Sequence, residues 1–132
     1  MIYQWGEIME RGIITMNEHG IVSIPNGEIW MIEMELADLF GVIVPTIRAA
    51  IRAVYKSDVL KEYEAQEYIR LENGYYADVY SFPMVVTLAF RINSYSAQQV
   101  RNTLLERMYG RKEKTNIFFS LNINGKASSL QS

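Results

Sequence analysis

Met34-Glu-Leu-Ala-Asp-Leu-Phe40-Gly41-Val-Ile-Val44-Pro45-Thr-Ile-Arg-Ala-Ala-Ile-Arg-Ala-Val-Tyr-Lys56 holds two short helical patterns on either side of a glycine. Leu36, Leu39 and Phe40 recur at helical spacing, and Gly41 is placed to stop that helix in a left-handed conformation. Pro45 opens a second helix in its first turn, where a missing N–H costs nothing. Ile47, Ala50, Ile51 and Val54 follow at i, i+3, i+4 and i+7, so one face is apolar and the other carries Thr46, Arg48, Ala49, Arg52 and Lys56. Two helices that cross steeply over so short a link need a small residue in the first helix, a glycine at the bend and apolar residues where side chains meet. Ala37, Gly41 and Ile47 meet those demands, and Leu36, Phe40, Val42 and Ala50 fall on inward positions. The segment is read as a helix-turn-helix unit.

On its N-terminal side, Gly12 to Asn17 and Gly20 to Ile24 alternate between turn residues, and Pro25-Asn26-Gly27 leads into Glu28-Ile-Trp-Met-Ile32. Asn-Gly between apolar runs predicts a hairpin, because both residues tolerate positive φ. Two or three antiparallel strands are expected there. On the C-terminal side, Tyr68 to Glu72, Asn73-Gly74 and Tyr75 to Tyr80 predict a second hairpin with an Asn-Gly turn. Pro83 begins a helix that Val85, Val86, Leu88, Ala89 and Ile92 make apolar on more than one side, as suits the centre of a core. Ser94 or Ser96 can cap the next helix, which Gly110 is expected to end. Beyond Arg111 there is one candidate strand, Asn116 to Ile123, and a Ser-rich end expected to fray. The expected fold is α+β: a helix-turn-helix, winged-helix-like domain over residues 1–110, with N-terminal and central β-hairpins and a C-terminal helical pair. A partly flexible extension, 111–132, follows.

Composition narrows the function. A chain of 132 residues, 49 % hydrophobic, carries enough apolar material for one core. Its longest apolar stretch, Phe82 to Phe90, is far short of the roughly 20 residues that span a bilayer, so no membrane association is expected. The first ten residues lack the basic start and apolar core of a secretory signal, and a cytoplasmic location is expected. With no cysteine, thiolate metal sites and thiol nucleophiles are excluded. His19, the single histidine, sits in Asn17-Glu18-His19-Gly20 and reads as a solvated turn residue. No pair of acids has a context suggesting catalysis, so the chain reads as a non-enzyme without metal or cofactor. Net charge is −2 but uneven. Residues 1–46 set one cation against seven acids, 47–110 eight cations against seven acids, and 111–132 four cations against one acid.

The second helix of a helix-turn-helix lies in the major groove with its first turns towards base edges. Thr46 and Ala49 offer methyl groups to thymine, and Arg48 can make a bidentate contact to guanine. Arg52 and Lys56, one and two turns on, suit phosphate. A hairpin following such a helix can act as a wing, with Arg70, Asn73 at the tip and Tyr75 or Tyr76 reaching the backbone or minor groove. The same helix face could equally be solvated, and cross-strand tyrosines stabilise a sheet without any ligand. A continuous basic face through Arg48, Arg52, Lys56 and Arg70 would favour DNA, and interruption by N-terminal acids would not. Ile43 and Val44 place apolar side chains at the turn, to be covered by another element or by a partner. The competing expectation is therefore a protein–protein interaction module on the same scaffold.

Glu28 to Arg48, with its strand running into Ala37-Asp-Leu-Phe-Gly-Val42, is followed at a distance by Asp78 to Ser94, with Tyr80, Val85 and Arg91-Ile-Asn-Ser94. Together these resemble the RhuM-type family of bacterial proteins, over about Ile24 to Met108. The resemblance implies a helix-turn-helix domain with an expected DNA-binding, regulatory role, often encoded near mobile elements. Arg91, at the end of an apolar helix, is expected to pair with Asp78 or to cap helix-end carbonyls. A homodimer is expected, because such units commonly read two half-sites; the last helix, Ala97 to Tyr109, and the strand near Phe118 are candidate surfaces.

Overall fold

In the computed structural model, residues 10–116 are described, with side chains to residue 110. Of the expected strand Asn116 to Ile123, Asn116 is helical instead; the rest of it and the Ser-rich end lie outside the described residues. Contacts divide the chain into two units, one up to Arg101 and one from Asn102.

Two short strands, β1 (Thr15–Met16) and β2 (Val22–Ser23), pair as an antiparallel hairpin. Its turn is Asn17–Gly20, where the Asn17 Oδ1 accepts the N–H groups of His19 (2.8 Å) and Ile21 (3.0 Å). The N-terminal hairpin is present, but Asn26-Gly27 does not form it. After that turn the chain runs parallel to Gly12 at Ile29, and β3 (Trp30–Met31) leaves for another sheet.

Helix α1 (Glu33–Phe40) buries Leu36, Ala37, Leu39 and Phe40. It ends as its glycine predicts: Gly41 has φ +66°, its N–H reaches Asp38, and the Val42 N–H bonds the Ala37 carbonyl at 3.1 Å. A Cβ on Gly41 would stand 3.0 Å from the Ser96 hydroxyl. Gly41→Ala is expected to cost about 1–2 kcal/mol from the left-handed backbone alone, measurable as a lower urea midpoint with an unchanged m-value.

Helix α2 (Val44–Lys56) starts with Pro45 in its first turn and buries Ile47, Ile51 and Val54 against α1 and α4. A one-turn helix, α3 (Glu62–Ala65), follows in the stretch whose sequence shows no period. Strands β4 (Gln66–Arg70) and β5 (Tyr76–Ser81) then form the central hairpin, and β3 pairs with the far side of β5, Trp30 opposite Ser81. The sheet order is β3-β5-β4, all antiparallel. Trp30, Ile69 and Val79 pack together on one sheet face, with Ile32 and Leu71 against them.

Helix α4 (Phe82–Arg91) packs against α2, α3 and β5, burying Met84, Val85, Leu88 and Ala89. It is central, as its pattern predicts. Helix α5 (Tyr95–Asn116) is capped by Ser94, whose Oγ accepts the Ala97 N–H at 3.0 Å. It runs through Gly110, where it was expected to stop. That glycine is not among the positive-φ residues, and Arg111-Lys-Glu-Lys114 continues with good helix formers, so a mid-helix cost of about 1 kcal/mol is absorbed. The architecture of the described residues is mixed α+β, with five helices and two small antiparallel sheets.

Candidate nucleic-acid interface

The candidate side chains sit on two elements, α2 and the β4–β5 hairpin. At 100° per residue, burial of Ile47, Ile51 and Val54 leaves Pro45, Ala49, Arg52 and Lys56 as one line along the solvent side of α2. Thr46 lies on one flank of that line and Arg48 on the other, both exposed. Arg52 and Lys56 make no ion pair or hydrogen bond among the described residues. Arg48 does. Its Nε donates to the Oε1 of Glu33, an acid in the first turn of α1, at 2.9 Å.

The hairpin tip is a three-residue loop rather than a two-residue one. The Leu71 N–H bonds the Tyr75 carbonyl and the Gly74 N–H bonds the Leu71 carbonyl, with positive φ only at Gly74 (+91°). This is a type I turn closed by a left-handed glycine. Asn73 is exposed at the tip, but its Oδ1 accepts the Tyr75 N–H at 3.0 Å, so its acceptor already serves the turn. Tyr75 is 75 % exposed. Arg70 extends along the tip, near the space a Gly74 side chain would occupy. Tyr76 stacks on Tyr68 across the strands at 5.6 Å, the sheet-stabilising arrangement.

Between α2 and β5 lies a groove of about 360 Å³ whose walls include Met34, Val44 and Ala77 and whose charged groups are Glu33, Arg48 and Asp78. On the other side of Asp78 a second groove is lined by Glu62, Tyr63, Glu67 and Tyr68. Arg48 therefore shares its groove with two carboxylates, Glu33 of α1 and Asp78 of β5, whereas Arg52 and Lys56 do not line it. Of the four cations expected to share one basic face, Arg48 is paired with Glu33, one of the N-terminal acids.

The same acids act on two tyrosines behind them. Tyr55 donates to the Gln66 Oε1 at 2.8 Å, and burial, then Glu62 and Asp78, push its phenol up from 10.0 to about 12. Burial also raises Tyr80, with Glu33 and Asp78 adding to it. A raised phenol pKa favours the neutral form in the fold, so this stability is fully present below the unfolded value of 10.0 and lost as pH rises towards about 12. Tyr55→Phe is expected to cost about 1 kcal/mol at neutral pH through its lost hydrogen bond. It should also flatten the alkaline decline, read from denaturation curves on either side of that window.

Several working residues had no sequence signal. The role expected of Arg91 belongs to Arg101, whose Nη1 donates to the carbonyls of Ala89 (2.7 Å) and Ile92 (3.0 Å) at the end of α4, while Arg91 is exposed with no partner among the described residues. Ser94, besides capping α5, donates to the Phe40 carbonyl at 2.7 Å and so ties the two motifs together. Among the described residues, no group of three or more His, Asp or Glu could hold a metal ion, and no helix is long and apolar enough to cross a membrane. Comparison with protein-family models, curated proteins and solved structures finds no match to this chain.

Proposed function

We propose that this chain is a sequence-specific double-stranded DNA-binding module, built as a helix-turn-helix with a β-hairpin wing, in a regulatory role of the kind its RhuM-type resemblance implies. The observation that supports it most is the solvent line of α2. It leads from the first turn with Pro45 and Ala49, flanked by Thr46, and continues into Arg52 and Lys56, two cations with no ion pair among the described residues. Small and methyl-bearing groups suit base edges, and cations suit phosphate. The chain order of strand, helix pair and hairpin, with β5 between β3 and β4, supports the wing. Pairing of two copies belongs to this reading, since two half-sites one helical turn apart need two such helices.

Selection from a random duplex pool at low salt is expected to enrich one motif. Arg52→Ala combined with Lys56→Ala should weaken binding to it and to unrelated duplex alike. No enrichment, with no effect of the double variant, would contradict the proposal.

A specific observation favours a second reading, a protein-interaction module. Met34, 64 % exposed, lines the Glu33 and Asp78 groove, and Ile43, just before α2, is 68 % exposed. Apolar groups rimmed by acids suit a protein surface better than a polyanion. Binding that is insensitive to salt and requires Ile43 would support it.

A further inference from the structure

An arginine guanidinium carries five N–H donors in one rigid plane, so fixing one edge of it aims the other. In Arg48 the Nε edge is taken by Glu33, at 2.9 Å, while Nη1 and Nη2 make no bond among the described residues. The Arg48 side chain remains 57 % exposed, and Glu33 is held more deeply, at 26 %. Glu33 is the first residue of α1, so its carboxylate meets Arg48 from the start of that helix. The ion pair is too exposed for it to matter much to stability, for which about 0–1 kcal/mol is usual. Its effect is on direction.

Guanine can be read by arginine in two bidentate ways, through Nε with one Nη or through the two terminal Nη groups, each reaching O6 and N7. With Nε engaged, only the second remains. Resting on the DNA-binding reading above, we infer that Glu33 is a specificity-determining positioning residue, which holds Arg48 so that its two terminal nitrogens read one guanine end-on. A carboxylate facing the groove opposes phosphate there as well, so it keeps Arg48 from the nonspecific backbone contact an unbraced arginine would make. The cost of Glu33 is general affinity and its return is discrimination.

The test compares wild type, Glu33→Ala, Glu33→Gln and Arg48→Ala on duplexes carrying the motif selected by the wild type. At the guanine under test, each is probed with guanine, with adenine and with 7-deazaguanine, which lacks the N7 acceptor. Wild type is expected to prefer guanine by about tenfold over either replacement, the lower part of what one bidentate pair supplies. Arg48→Ala loses the preference. Glu33→Ala loses most of it while binding random duplex at least as tightly as wild type, and Glu33→Gln, which keeps an acceptor for Nε, falls between. A merely structural role for Glu33 would lower binding to all duplexes together and leave the ratio intact. Full guanine preference in Glu33→Ala, or in Arg48→Ala, overturns the inference and leaves DNA binding standing. Absence of duplex binding by the wild type overturns both.

Discussion

Arg11→Ala is expected to lower the free energy of unfolding by about 3 kcal/mol, the scale on which breaking a largely buried ion pair acts. The Arg11 side chain is 7 % exposed and its two terminal nitrogens make three hydrogen bonds. Nη1 donates to the Glu35 Oε1 (2.8 Å) and the Trp30 carbonyl (2.9 Å), and Nη2 to the Glu35 Oε2 (3.1 Å). Glu35 in turn accepts the Ile32 N–H at 2.9 Å, the donor just before α1. One side chain therefore joins the segment before β1, the edge of β3 and the start of the helix pair. Its removal leaves a carboxylate with 22 % exposure without its counter-charge and a strand carbonyl without its donor. Replacing both partners by methionine should recover much of the loss, since no charge is then left buried. Equilibrium denaturation checks both; a loss below about 1 kcal/mol for Arg11→Ala, the value of a surface pair, would contradict the account.

Ser94→Ala is expected to cost about 2 kcal/mol, because one hydroxyl does two jobs. Its oxygen accepts the Ala97 N–H at the start of α5, and its hydrogen goes to the Phe40 carbonyl at the end of α1. Alanine removes the cap and also orphans a carbonyl beside the Gly41 turn. Ser94→Thr keeps both bonds and should recover most of the stability. Ser94→Asp keeps the acceptor but has no hydrogen for Phe40, and should recover only part. If aspartate and threonine rescue equally, the bond to Phe40 contributes nothing.

What could be read in the sequence was local. The pattern Leu36, Leu39, Phe40 and Gly41, the first-turn Pro45 and the Asn73-Gly74 pair each act within a few residues, and each produced its element. The turn at Asn26-Gly27 was also local, yet its neighbours went elsewhere: Trp30 and Met31 pair with Ser81 and Tyr80 of β5, far along the chain. Side chains that act over long separations left no trace. Arg11 with Glu35, Glu33 with Arg48 and Ser94 with Phe40 join residues 24, 15 and 54 apart in the chain, and each is set by packing rather than by period. The candidate site divides in the same way. The exposed face of α2 follows from helical spacing, whereas the acids that share a groove with Arg48 come from α1 and β5 and are not legible in the spacing of α2.

Those acids make electrostatics the sharpest test of the central proposal. Binding to the selected duplex should be measured over a range of salt concentrations for wild type and for the Arg52→Ala, Lys56→Ala double variant. Log K is expected to fall linearly with log salt, and loss of two phosphate contacts to make the slope shallower by about 2. A binding constant indifferent to salt, or a slope the double variant leaves unchanged, would contradict it.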